Sequence, residues 1–88
     1  MPIEFLKVTS KFARQYNKLS KKVQQETKAK ELVFRANPFD SRLKTHKLHG
    51  KDREAWGFWI TKKHRIKFIF LGNDAALFLE VGTHDIYQ

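Results

Sequence analysis

The spacing of apolar positions changes once along the chain, and that change divides it into a helical half and a sheet half. Residues 2 to 8, PIEFLKV, are rich in strand formers and predict a first strand. Thr9 and Ser10 follow as helix-capping residues, and Phe12, Tyr16 and Leu19 then recur at helical spacing. Ser20 can cap a second helix, SKKVQQETKAKELVFRA, in which Ala29, Leu32, Val33 and Ala36 keep the i, i+3, i+4, i+7 pattern of one buried face. Asn37-Pro38 ends it, because the residue before a proline is pushed out of helical geometry. With only KLSKK between them, the two helices are expected to form an antiparallel hairpin.

After Asp40 the period falls to two. A polar lead-in, RLKTHKLHGKDRE, is followed by three strand-like segments: AWGFWIT (55–61), HRIKFIFL (64–71) and ALFLEVGT (76–83). Lys62-Lys63 and Gly72-Asn73-Asp74 separate them and are short enough for hairpins. The order β-α-α-β-β-β predicts an α+β fold, a small and mainly antiparallel sheet with the helical hairpin on one face. Alternation assigns Trp56, Phe58, Ile60, Ile66, Phe68, Phe70, Leu77, Leu79 and Val81 to the face under the helices. The opposite face receives Trp59, Thr61, Arg65, Lys67 and Glu80, joined by His84 if the last strand runs that far. Arg65 and His84 thereby meet on a sheet surface that no helix is predicted to cover.

The size narrows the organisation, and the charge narrows the partner. With 88 residues, 41% of them hydrophobic, the chain is expected to form one domain over residues 1–88. It has no cysteine, which excludes a disulfide framework, a thiol nucleophile and a cysteine zinc site. No apolar run approaches the length of a membrane span and the start lacks a leader pattern, so a cytoplasmic protein without membrane contact is expected. Eighteen Lys and Arg against nine Asp and Glu give a net charge of +9. Such a surface attracts polyanions, nucleic acid above all, through counterion release. Lys44, Lys47, Lys62, Lys63 and Lys67, placed around the uncovered face, are the expected phosphate contacts.

Candidate chemistry then has to come from few residues. The histidines are His46, His49, His64 and His84. Their spacing, without cysteine or an HExxH pattern, predicts no metal site. A GxSxG nucleophile elbow is absent, and no serine follows Ser41. RNA cleavage through the ribose 2′-hydroxyl fits better. It needs a base, an acid and a cation over the phosphorane. Histidine serves as either acid or base near neutral pH, and arginine holds phosphate oxygens in a planar fork. Exposed aromatics can stack on a splayed base. His84, Arg65, Trp59 and Tyr87 supply these functions.

Four segments in this order, FARQYNKLSKKVQ, ANPFDSRLKTHKLHG, HRIKFIF and LEVGTHDIY, resemble the RelE/ParE toxin superfamily over nearly the full chain. The resemblance implies a RelE-like fold and the toxin of a type II toxin–antitoxin system. RelE-like members are metal-independent endoribonucleases that cut mRNA on the ribosome without a cofactor, and their partner is an acidic antitoxin. ParE-like members of the same fold poison DNA gyrase and are not nucleases. A basic RNA-binding domain without toxicity is a third reading. Arg65 falls on the family's strand arginine, His84 on the position following the VG pair, and Tyr87 on the C-terminal aromatic. His46 matches a histidine of the catalytic cluster in the YafQ-like branch, while Lys47, Leu48 and Gly50 match a KLxG lead-in whose glycine suits a turn. AWGFWIT carries no lysine where the founding RelE branch has catalytic ones, so that branch's acid–base scheme does not transfer. His49 and His64 rank as secondary.

Overall fold

The computed structural model describes residues 2–50 and 54–87. Residues 51–53 of the polar lead-in lie outside the described residues. The elements are β1 (Phe5–Val8), α1 (Ser10–Asn17), α2 (Lys21–Ala36), β2 (His46–Lys47), β3 (Trp56–Trp59), β4 (His64–Phe70) and β5 (Ala75–Thr83). Short 3-10 turns cover Ser41–Leu43 and His84–Tyr87. The strands form one five-stranded sheet in the order β1-β5-β4-β3-β2. All neighbours are antiparallel except β1, which runs parallel to β5. The α+β expectation holds, with β2 added: two residues of the lead-in pair with β3.

The local signals explain most boundaries. Thr9 caps α1 by accepting the Phe12 N–H at 3.0 Å, and its own hydroxyl donates to the Leu79 carbonyl at 2.7 Å. That second bond ties the helix start to β5. Ser20 caps α2 through the Val23 N–H, and Asn37 leaves helical geometry just before Pro38, as expected. Tyr16 and Gln24 link the two helices through reciprocal side-chain to carbonyl bonds. Beyond β1 the outer edge of β5 is covered by α1, whose Gln15 accepts from the Val81 N–H at 2.9 Å.

The core sits between α1, α2 and the sheet, and it is largely phenylalanine. Phe34 of α2 is fully buried and stacks on Phe58 at 5.0 Å while meeting Phe68 and Phe78 edge-on. Fully burying such a side chain contributes about 1.5–3 kcal/mol. The buried stripe of α2 is therefore Thr27 and Phe34, with Val23, Lys30 and Val33 half-buried; of the expected Ala29, Leu32, Val33 and Ala36, only Val33 packs against the core. Leu32 is 69% exposed, and Ala29 and Ala36 are exposed too. Periodicity located a helix, but in a lysine-rich segment it chose the wrong side. Thr27 is tolerated inside because its hydroxyl donates to the Val23 carbonyl at 2.7 Å.

A second correction concerns β5. Lys67 pairs with Glu80 but its neighbour Phe68 pairs with Phe78, so Leu79 is an extra residue in β5. The bulge turns Ala76 and Phe78 to the core on one side of it and Val81 on the other. Leu77, expected in the core with Leu79, pairs instead with Ile69 on the opposite face, and both leucines are only half-buried. Strict alternation cannot register a one-residue insertion.

Candidate active site

The face away from the helices is not bare. β5 ends at Thr83, and His84 opens the C-terminal 3-10 turn, which folds back onto β4 and β5. This turn brings Tyr87 into contact with two imidazoles. The Tyr87 ring lies 5.1 Å from that of His84 and 5.5 Å from that of His46, both edge-on. His46 arrives from β2, where it pairs with Gly57. Residues 38 apart in sequence thus share one aromatic neighbour.

Arg65 lies on the same face, as expected, but it is 7% exposed and not out in solvent. Its guanidinium carbon stands 3.9 Å over the Trp59 ring, its cross-strand partner. Its Nη1 donates to the Thr61 and His64 carbonyls at 2.7 and 3.1 Å. The planar fork is thus pre-set in one orientation. Lys44 approaches the same indole at 5.2 Å. Trp59, half-buried, accordingly backs two cations.

Tyr87 is half-buried. Its hydroxyl has no hydrogen-bond partner among the described residues. Burial pushes its pKa up to about 12, with the nearby Arg65 charge pulling weakly the other way. The phenol therefore stays protonated at any physiological pH.

His46 has a defined tautomer. Its Nδ1 lies 2.9 Å from the Lys44 carbonyl, which can only accept, so Nδ1 carries the hydrogen and Nε2 is left as the basic nitrogen. Lys44 makes this contact from a left-handed backbone conformation at φ 52°, which turns the chain into β2. His84 is exposed. His64 bonds to the Thr61 hydroxyl at 3.0 Å and His49 is exposed, whereas the imidazoles in ring contact with Tyr87 are those of His46 and His84.

The expected cations separate into groups. Lys62 and Lys63 are exposed in the β3–β4 turn, at the end of the sheet where His64 pairs with Thr83. Lys47 pairs with Trp56 and lies over that ring at 6.0 Å, on the side of the core, so it does not join Arg65. Lys67 is 5% exposed and ion-paired with Glu80 at 3.7 Å, so it is not a surface contact for phosphate. Glu80 also receives Lys11 of α1 at 3.1 Å, tying helix to sheet beneath the site.

Sequence reasoning passed over Gly57. A β-carbon on it would stand 2.5 Å from Cζ and 2.8 Å from Cε1 of Tyr87, and closer still to the hydroxyl oxygen. A glycine amid aromatic strand formers, WGFW, was the available signal. Gly50, by contrast, has φ 111° with open space around it, as suits a turn. Among the described residues no group of three His, Asp or Glu converges to hold a metal ion, and no helix is long and apolar enough to cross a membrane.

This architecture is the RelE/ParE/YafQ toxin fold. The YoeB/ParE toxin from Agrobacterium tumefaciens superposes with a TM-score of 0.78 at 18% identity, covering 91% of this chain and 98% of that one. YafQ from E. coli gives 0.76 at 14% identity, over 92% of this chain and 93% of its own. The archaeal RelE–RelB complex from Pyrococcus horikoshii OT3 gives 0.75 at 11% identity, over 94% and 96%. No protein-family model and no curated protein sequence matches the chain. The likeness is one of fold.

Proposed function

We propose that this chain is the toxin of a type II toxin–antitoxin system, a metal-independent endoribonuclease that cuts mRNA on the ribosome through the ribose 2′-hydroxyl. The observation that carries this reading is the pair of imidazoles, His46 and His84, that both contact Tyr87 on the face that holds Arg65. A protein that only bound and blocked a target would need no such pair of titratable groups. That favours the nuclease over a gyrase poison built on the same fold.

In this mechanism Nε2 of His46 takes the proton of the 2′-hydroxyl, and the 2′-oxygen attacks the adjacent phosphorus. The bond from phosphorus to the 5′-oxygen breaks, and His84, entering protonated, passes its proton to that oxygen. The products are a 2′,3′-cyclic phosphate and a free 5′-hydroxyl, so protons and bonds balance. Arg65 has Nη1 committed to carbonyls and offers its remaining nitrogens to the phosphorane charge. Lys44, Lys62 and Lys63 steer the backbone toward it. Tyr87, in contact with both imidazoles, helps to hold them in place.

The E. coli relative was solved in a DinJ–YafQ toxin–antitoxin complex. For this chain we infer an acidic antitoxin, since a +9 surface gains complementary charge when such a partner covers it. Purified protein added to translating ribosomes, with 5′ ends mapped by primer extension, tests the nuclease. Cuts inside translated codons are expected, and His46→Ala and His84→Ala should each lose about 10²- to 10⁴-fold in rate. Intact mRNA together with trapped gyrase–DNA complexes would transfer the chain to the gyrase reading.

A further inference from the structure

We propose that Gly57 and Gly82 form a two-point seat that positions the C-terminal turn, and that Gly57 sets the geometry of the proposed active site by admitting Tyr87. The inference rests on the nuclease reading only for its activity readout. Gly57 lies on β3 opposite Lys67, and Gly82 lies on β5 opposite Arg65, so both sit on the face away from the helices, one in each of two adjacent cross-strand rows. Into these two gaps the turn lowers two side chains. Tyr87 comes down over Gly57, and Ile86 comes down over Gly82, where a β-carbon would stand 3.0 Å from Ile86 Cγ2.

Neither glycine has the positive φ that would make glycine a backbone necessity, unlike Gly50 and Gly72. Space is what these two positions require. Glycine also weakens a strand interior, so its presence between Trp56 and Phe58 needs a compensating role. The seat supplies one. With the ring lowered to the sheet, Tyr87 meets His46, which is bound to Gly57 in register, and at the same time its own turn neighbour His84. Raising the ring by the width of a methyl group would part the two imidazoles from their common spacer, while leaving the core on the other face untouched. Gly57 is thus a positioning residue that acts through Tyr87. Gly82 is the weaker point, since its contact is with the end of a flexible side chain.

The test is a cycle of Gly57→Ala, Tyr87→Ala and the double variant, read by NMR contacts between the His46, His84 and Tyr87 rings and by cleavage rate. Gly57→Ala is expected to lose the His46–Tyr87 contact with helix and core signals unchanged, and to slow cleavage about 10²-fold, the scale of an ångström-sized misplacement. In the Tyr87→Ala background the same substitution should change the rate less than about 2-fold, because the atoms nearest to the added methyl are gone. If Gly57→Ala fails to fold, adding Tyr87→Ala should restore folding. Ring contacts that survive in Gly57→Ala, effects that add in the double variant, or folding that Tyr87→Ala does not restore would each overturn the proposal. Lost ring contacts in a protein whose parent cuts no RNA would leave the seat standing and remove the nuclease reading instead.

Discussion

The two faces of the sheet are held in opposite ways. Under the helices, Phe34, Phe58, Phe68 and Phe78 form one aromatic cluster in which each ring meets the other three, and Phe12 joins it through Phe78. Its stability comes from apolar area, shared among many contacts. On the other face Arg65 rests on Trp59, Lys67 pairs with Glu80, and Tyr87 fits over Gly57. There the contacts are polar or shape-specific, made between particular pairs of side chains and not through shared apolar area. A change in the first face costs folding, whereas a change in the second disorganises the proposed site while most of the fold persists.

Phe34→Ala should break this contrast most severely. It empties the centre of the cluster, and losses of about 3–5 kcal/mol are usual for such truncations. For a domain whose whole stability is of order 5–15 kcal/mol, that takes a large share. Chemical denaturation will show it as a lowered midpoint with little change in slope.

His84→Ala is the counterpart on the opposite face. Activity should fall by about 10²- to 10⁴-fold, while the thermal midpoint stays within the range of about 0.5 kcal/mol usual for exposed sites. Arg65→Ala should differ from it by losing stability as well as activity, since the arginine is buried against Trp59. If both variants leave the midpoint equally unmoved, the contrast between exposed and buried members of the site is wrong.

Tyr87→Phe sharpens the comparison with a smaller effect. The folded-state pKa of about 12 lies above the ordinary value of 10.0, so the folded chain keeps a proton there that the unfolded chain releases. The tyrosine's contribution is therefore fully present below pH 10 and is lost as pH rises toward 12. The phenylalanine variant should lack this part of the alkaline loss. At neutral pH it should be at least as stable as the parent, because the hydroxyl it removes is buried without a hydrogen-bond partner among the described residues. Midpoints for both proteins across the alkaline range decide this. A marked loss at neutral pH would mean that the hydroxyl has a partner after all.

Leu32→Gln should do least. At 69% exposure it belongs to neither face, and a shift within about 0.5 kcal/mol is expected by thermal melting. A loss of several kcal/mol would restore the stripe that helical spacing first suggested.

The sequence by itself determined the order of every element but β2, the caps at Thr9 and Ser20, the stop at Asn37-Pro38 and the core face of β3 and β4. These are local matters, set by backbone geometry and by a period of two read over a few residues. It also placed His84, Arg65, His46 and Tyr87 among the residues to watch. Only the tertiary structure decided which side of α2 is buried, because Phe34 is chosen by the rings it meets across the sheet, not by its neighbours in the helix. The bulge at Leu79 was hidden for the same reason, since it exists only in the pairing of β4 with β5. So was the fate of the cations: Lys67 found Glu80 and Lys47 found Trp56, partners that no spacing along the chain announces. The meeting of His46, Tyr87 and His84 depends on a gap at Gly57, and a gap has meaning only once something else in the fold comes to fill it.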